Sequence, residues 1–266
     1  MSDISHVLFD EEKCIGCGKC VEDCCAGNLY LENGKPKSKE SGCIECGHCY
    51  AICPTGAVSM PEYDCSNCDR VGSFTRFDED EMLLAMKSRR SIRRFKNQPV
   101  TAEQIHKIIE AGRYTATASN SQNVTFTVIS GEKLAEIEKA GVDFFRKLIR
   151  LAKPFSSYAR DVVIDDHFFF FNAPVAILVS EMKSTFGGNV NGALAAAHME
   201  VQAESMGLGV LYSGFTVINA KINRKVKKIL SLGKQEKPVA CLVIGYPDVK
   251  YHRIPPRKHA KVRELS

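Results

Sequence analysis

The chain has no tryptophan, and no uninterrupted apolar run approaches the roughly 20 residues that a membrane-spanning helix requires. Its most apolar stretch, residues 168–179, is broken by Asn172 and Pro174. A membrane protein of the helical kind is thereby excluded, and no membrane partner is expected. The N-terminus, Met-Ser-Asp-Ile-Ser-His, has neither the basic nor the apolar region of a signal peptide, so a cytoplasmic location is expected. No repeat of 20–50 residues recurs apart from one pair of cysteine runs, which excludes a solenoid. No Cys/His or Ser/His/Asp pair marks a catalytic centre, and His167 and His198 read as structural or surface residues.

Cysteine is abundant and concentrated. Nine of the twelve cysteines fall between Cys14 and Cys53. One run is Cys14-Ile-Gly-Cys17-Gly-Lys-Cys20-Val-Glu-Asp-Cys24, the other Cys43-Ile-Glu-Cys46-Gly-His-Cys49-Tyr-Ala-Ile-Cys53-Pro54. Both have the C-x2-C-x2-C-x3-C spacing of bacterial ferredoxins. The x2 steps let three thiolates converge on one iron–sulfur cube, and the x3 step carries the fourth cysteine to the other cube. The spacing therefore assigns Cys14, Cys17, Cys20 and Cys53 to one 4Fe-4S cluster, and Cys43, Cys46, Cys49 and Cys24 to a second. A disulfide framework is disfavoured in a chain expected in a reducing compartment, and zinc calls for two ligand pairs rather than two interlocking runs. In the first run Cys25 stands where a proline normally follows, so it competes with Cys24. An anaerobe, or a strongly reducing cell, is the expected setting.

The net charge of +5 is unevenly spread. Residues 1–60 carry five Lys/Arg against nine Asp/Glu, and residues 61–266 carry 31 against 22. The basic part suits phosphate cofactors or an acidic redox protein; nucleic acid is not expected as a partner. Three segments follow: a compact cluster domain over 1–60, a linker over 61–77, and a larger domain over 78–266. The linker holds a further C-x2-C pair, Cys65 and Cys68, which could be half of a metal site, a redox pair or two free thiols.

Within the cluster domain, Asn33-Gly34 reads as a turn between short strands. Beyond it, Asp78-Glu-Asp-Glu81 places acids in the first turn of a helix whose apolar face includes Leu83, Leu84 and Met86. Thr101-x-x-Gln104 reads as a capping box. Residues 124–129, 174–179 and 238–244 read as strands, and 132–153, 191–206 and 221–230 as helices. Their irregular alternation indicates an α+β fold.

Ser88-Arg89-Arg90-Ser91-Ile92-Arg93-Arg94-Phe95 offers guanidinium groups and a hydroxyl to a phosphate, although such runs are commonly solvated faces. Ser119-Asn120-Ser121-Gln122 supplies amides able to read a heterocycle edge, and Gly207 to Gly214 lets backbone approach a flat ring. With these stretches the chain resembles the FMN-dependent nitroreductase family over 78–266, and its ferredoxin-fused members as a whole.

The resemblance implies a bacterial ferredoxin-like domain followed by a nitroreductase-like domain, with a mixed sheet flanked by helices. It assigns Arg89, Ser91 and Arg93 to the FMN phosphate or ribityl chain and Arg90 to a place beside the ring. It matches Ser119, Asn120 and Gln122 to the family's Ser-x-Asn-x-Gln segment. It puts Ser213 and Gly214 at flavin N5, and Arg257 and Lys258 in a closing phosphate clamp. Here Asn123-Val124 replaces the Pro-Trp that ends the family's segment, which leaves the substrate-pocket wall different. The resemblance further implies a homodimer with FMN at the subunit interface. The activity implied is two-electron reduction of a nitroaromatic, quinone or other small conjugated acceptor. Electrons would be delivered through the two 4Fe-4S clusters from ferredoxin or NAD(P)H; the missing G-x-G-x-x-G fingerprint leaves direct reduction by nicotinamide open. Two other readings stand beside this one: an electron-transfer module serving a partner enzyme, and a Cys65/Cys68 redox sensor.

Overall fold

A computed structural model describes residues 6–69, 71–72, 78–183 and 188–265. Residues 1–5, and residues 73–77 on the N-terminal side of the junction expected at 77/78, lie outside the described residues. The chain forms two compact units: one comprises 1–76 together with Thr117–Ser121, the other 77–116 together with 122–266. The segment Thr117–Ser121 thus clusters with the N-terminal unit, although its place in the chain puts it inside the larger domain.

The N-terminal unit is built as two similar halves. Strand β1 (Leu8–Phe9) is followed by helix α1 (Lys19–Glu22), the hairpin β2 (Leu29–Glu32) and β3 (Lys35–Ser38), helix α2 (His48–Ile52) and strand β4 (Val58–Ser59). β1 pairs antiparallel with β4, and β2 with β3. Asn33 and Gly34, at φ 52° and 77°, form the tight turn whose mirror-image geometry matches strand twist. Val7, Leu29, Cys49 and Val58 make up the small buried core. So little apolar surface leaves stability dependent on other ties, of which metal ligation is the strongest available. Within residues 61–77, Cys65–Asn67 forms one 3-10 turn, capped by Asp64.

The second unit begins with α3 (Glu79–Ser88) and α4 (Ala102–Arg113). The Asp78 carboxylate caps α3 by accepting from Asp80 and Glu81 N–H groups, and the reciprocal Thr101/Gln104 box caps α4. After β5 (Val124–Ser130) come the 22-residue α5 (Gly131–Ala152), α6 (Ser157–Asp161) and β6 (Val175–Met182). The chain ends with α7 (Val190–Ser205), β7 (Gly209–Tyr212), α8 (Gly214–Ile222), α9 (Arg224–Ile229) and β8 (Glu236–Gly245). The sheet order is β5-β6-β8-β7 with antiparallel pairing throughout. Its parallel component among the described residues is the bridge from Ser91 to Val210.

The central strands are apolar at almost every position because both faces are covered. Ala176, Leu178, Cys241 and Val243 face Ile137, Ala140 and Phe145 of α5 with Val217 of α8. Val175, Ile177, Leu242 and Ile244 face Ile108 of α4 and Ala196, Met199 and Ala203 of α7. Each fully buried large side chain contributes about 1.5–3 kcal/mol. The helix expected over 221–230 is divided: Asn223 ends α8 in extended backbone and caps α9 by accepting from Lys225 and Val226 N–H groups. Leu83, Leu84 and Met86 of α3 are exposed rather than facing this core. No helix among the described residues is long and apolar enough to cross a membrane.

Candidate functional sites

In the N-terminal unit, the two cysteine runs interlock. Cys14, Cys17, Cys20 and Cys53 line one cavity; Cys24, Cys43, Cys46 and Cys49 line another. The structure thus brings together the same two groups that the spacing assigns. Corresponding cysteines have corresponding partners: Cys24 Sγ accepts from Asn28 N–H and Cys53 Sγ from Ala57 N–H, both at 3.3 Å. Glu45 N–H donates to Cys43 Sγ at 3.4 Å. Donors aimed at sulfur, four thiols per cavity and backbone able to come close fit an iron–sulfur cluster in each. At Gly16 (φ 70°) the first ligand loop packs on the β2–β3 turn, where a Cβ would lie 2.6 Å from the Gly34 carbonyl oxygen. Burial pushes the Cys49 thiol up to about 11, a penalty that a bound cation reverses by favouring the thiolate.

Cys25 is exposed and lines neither cavity, but it sits beside Cys46, whose proximity raises the Cys25 thiol. In the 3-10 turn, the Cys65 carbonyl accepts from the Tyr50 hydroxyl at 3.4 Å and Cys68 remains exposed. Lys35 was not legible as a site residue, yet its ammonium donates to the carbonyls of Glu11 and Cys14 and ties the first ligand loop to β3.

The second unit has a cleft of about 490 Å³ lined by Arg93, Tyr212, Ser213 and Gly214 with Phe168, Phe171 and Phe215 among its apolar walls. Its construction starts at β7. Ile92 N–H donates to the Val210 carbonyl at 3.1 Å and Lys96 N–H to the Tyr246 carbonyl at 2.8 Å, so the arginine-rich stretch runs beside β7 and the end of β8. Gly209 makes this approach possible: a Cβ there would meet Ile92 Cγ1 at 2.5 Å and Pro247 Cγ at 2.9 Å. Ile92 is buried, while Arg93 on the next residue is exposed and reaches the cleft.

Ser213 is buried and fully used. Its hydroxyl donates to the Phe169 carbonyl at 3.1 Å and lies 2.7 Å from the Thr216 hydroxyl, while its N–H donates to Cys241 O. Gly214, the first residue of α8, has open space where a Cβ would stand. A helix N-terminus, a neighbouring guanidinium and aromatic walls suit a planar, electron-accepting ring that carries a phosphate.

Arg89 has a different partner. Its Nη1 lies 2.8 Å from Glu200 Oε1 on α7, and Glu200 also bonds the Tyr212 hydroxyl. Burial raises the Glu200 carboxyl despite the Arg89 charge. One turn later, burial and the Glu200 charge push Glu204 up to about 6. Arg90 and Ser91 are half-buried beside this pair in sequence, but they do not line the cleft.

A model of the nitroreductase family matches residues 86–246, which include the whole four-stranded sheet. The chain belongs to the nitroreductase family. A model of the 4Fe-4S dicluster domain matches residues 6–54, so the family fold is here preceded by a ferredoxin-type domain. Among curated relatives, an NADPH-dependent oxidoreductase of Staphylococcus epidermidis is 29% identical over 179 residues, covering 63% of this chain. One from Staphylococcus aureus is 27% identical over 177 residues. The chain spans 65% of the length of these curated relatives. Among solved structures, an FMN-bound nitroreductase from Bacteroides fragilis has a TM-score of 0.58 at 20% identity, covering 71% of this chain and 100% of its own. An FMN-bound nitroreductase from Desulfitobacterium hafniense has 0.57 at 21%, with the same coverage. Both likenesses concern the fold.

Against that family frame, the expected flavin residues divide. Arg93, Ser213 and Gly214 meet at the cleft. Arg257 and Lys258 lie in an exposed segment without regular structure after β8, outside the cleft lining. Ser119, Asn120 and Gln122 share left-handed backbone, at φ 52°, 51° and 43°. The Asn120 amide nitrogen donates to the carbonyls of Ile44 and Glu45, so both of its N–H donors are used within the N-terminal unit. Sequence reasoning missed Glu200, Tyr212 and the three phenylalanines. For Phe168 and Phe171 the aromatic run at 168–171 was the available signal.

Proposed function

We propose that this nitroreductase-family chain is an iron–sulfur flavoprotein reductase that binds one FMN and two 4Fe-4S clusters. The reading rests most on one observation: the chain that groups eight cysteines around two cavities also presents Arg93 and Gly214 in one cleft. The clusters, when bound, supply one-electron transfer, and FMN supplies two-electron reduction of a conjugated acceptor. Cys14, Cys17, Cys20 and Cys53 hold one cluster, and Cys24, Cys43, Cys46 and Cys49 the other. Arg93 would neutralise the FMN phosphate, with the Arg90 guanidinium and the Ser91 hydroxyl available from the same stretch, while Arg89 anchors that stretch through Glu200. Gly214 N–H at the start of α8 serves the ring nitrogen N5, while Phe168, Phe171 and Phe215 exclude water. Gln122, in the second unit, would be the ring-reading amide of its segment, and the family resemblance alone assigns Arg257 and Lys258 to a phosphate clamp.

The acceptor is a small nitroaromatic, quinone or similar conjugated compound. An open face over the bound ring would favour such a substrate over a purely electron-relaying role. Electrons arrive through the two clusters, from reduced ferredoxin or NAD(P)H. Exposed apolar residues on α3 (Leu83, Leu84, Met86), α7 (Val190, Leu194, Val201) and α8 (Ile218, Ile222) support a homodimer that covers them. Eight cysteines kept as thiolate ligands favour a reducing cytoplasm.

The test is anaerobic turnover of cluster- and FMN-loaded protein with a quinone or nitroaromatic acceptor. Acceptor reduction that requires bound FMN supports the reductase; a loaded protein that reduces none of them, yet passes electrons to a redox protein, supports the electron-transfer module.

A further inference from the structure

The two cysteine runs differ at one position where the backbone makes the same demand. In Cys14-Ile15-Gly16-Cys17 the third residue is glycine at φ 70°; in Cys43-Ile44-Glu45-Cys46 it is glutamate at φ 54°. Left-handed backbone suits glycine and disfavours a residue with a Cβ. The second loop therefore holds its turn against the preference of Glu45.

Three side chains converge on that residue. The Tyr63 hydroxyl donates to Glu45 Oε2 at 3.1 Å, and His6 Nδ1 lies 3.1 Å from Oε1. From far along the chain, Asn120 Nδ2 donates to Ile44 O at 3.1 Å and to Glu45 O at 2.9 Å. Among the described residues, no side chain donates to the corresponding carbonyls of Ile15 and Gly16. The Ile44 carbonyl and the Glu45 N–H belong to one peptide unit, and that N–H is the donor to Cys43 Sγ. Asn120 thus orients, and by hydrogen-bond polarisation strengthens, an amide aimed at a ligand sulfur. Hydrogen bonds to the sulfurs are among the factors that set a cluster's potential.

We propose that Asn120 is a positioning residue for the Cys43–Cys46 ligand loop, and through it tunes the potential of the cluster held by Cys24, Cys43, Cys46 and Cys49. The other cluster, whose loop carries Gly16, does not depend on it. The proposal rests on the reading that these cysteines hold two clusters.

The experiment compares the full-length, cluster-loaded protein with its Asn120→Gly and Asn120→Asp variants, using redox titration followed by electron paramagnetic resonance. Glycine keeps the left-handed backbone free of strain, so its effect reports the lost amide alone. Aspartate keeps the shape but puts a carboxylate against two carbonyls. In both variants one cluster is expected to shift to lower potential with an altered signal while the other keeps both. Iron release to a chelator from that one cluster is expected to rise roughly tenfold, as for loss of a pair of hydrogen bonds. Adding Glu45→Gly, which gives the loop the other run's residue, is expected to restore slow release. Unchanged potentials and signals, or equal shifts in both clusters, would overturn the proposal. A wild-type protein holding fewer than two clusters would instead overturn the cluster reading beneath it.

Discussion

Arg89 at the end of α3 and Glu200 in the middle of α7 form a partly buried ion pair, 2.8 Å apart and 111 residues apart in sequence. It fixes the start of the arginine-rich stretch to the helix that covers one face of the sheet. Glu200→Ala leaves a half-buried guanidinium without its partner, and a destabilisation of about 1–3 kcal/mol is expected. Urea unfolding of the variant measures it.

Glu204 gives that region a pH dependence. Its folded value of about 6 lies above the ordinary 4.5, so the protonated form is the better accommodated one. Its contribution is fully present below about 4.5 and is lost as pH rises through about 6. Glu204→Gln is therefore expected to raise stability at pH 7–8, by no more than about 1 kcal/mol after solvent screening, and to have little effect at pH 4. Melting temperatures across that range check the sign.

Serine replacements separate Cys24 from its neighbour. Cys24 lines the second cavity and accepts the Asn28 N–H, whereas Cys25 does neither. Cys24→Ser is expected to lose about half of the bound iron, and Cys25→Ser to keep it, since each cluster requires its fourth ligand. Iron and sulfide analysis after anaerobic reconstitution distinguishes them.

Gly209→Ala tests how the arginine stretch is seated. The added methyl meets Ile92 and Pro247 well inside contact distance. A loss of about 1–3 kcal/mol is expected from overpacking, together with weaker FMN binding as the Arg93 backbone moves away from β7. Calorimetry with apo-protein and FMN reads the second effect.

Arg93→Gln removes the guanidinium that reaches the cleft. Loss of charge-assisted hydrogen bonds of about 1.5–3 kcal/mol corresponds to roughly 10–100-fold weaker FMN binding, with a smaller salt dependence than wild type. Fluorescence titration of apo-protein at two salt concentrations measures both.

The legible parts of this chain were those where one physical demand acts on neighbouring residues. Cluster ligation needs thiols at set spacings, so Cys14 to Cys53 could be grouped without coordinates. β6 and β8 are buried on both faces and therefore read as continuous apolar runs. The capping box at Thr101 and Gln104 was equally local. β7 was less readable, because four residues beginning with Gly209 carry no strand period. The break at Asn223 was hidden inside a good amphipathic pattern, where only a cap distinguishes one helix from two. Asn120 could be singled out by its amide, but not its partners: they are backbone carbonyls 75 and 76 residues away and leave no side-chain signature.

The central claim, that the cluster domain feeds a flavin-dependent reductase, is tested most directly by anaerobic rapid mixing. Oxidised, fully loaded protein is mixed separately with reduced ferredoxin, NADH and NADPH while flavin absorbance is followed, and the same is done with Cys24→Ser and Cys53→Ser variants. The account predicts fast bleaching by reduced ferredoxin that is lost in the cluster variants. Fast bleaching by NAD(P)H alone, unchanged in those variants, would contradict it and make the flavin the entry port.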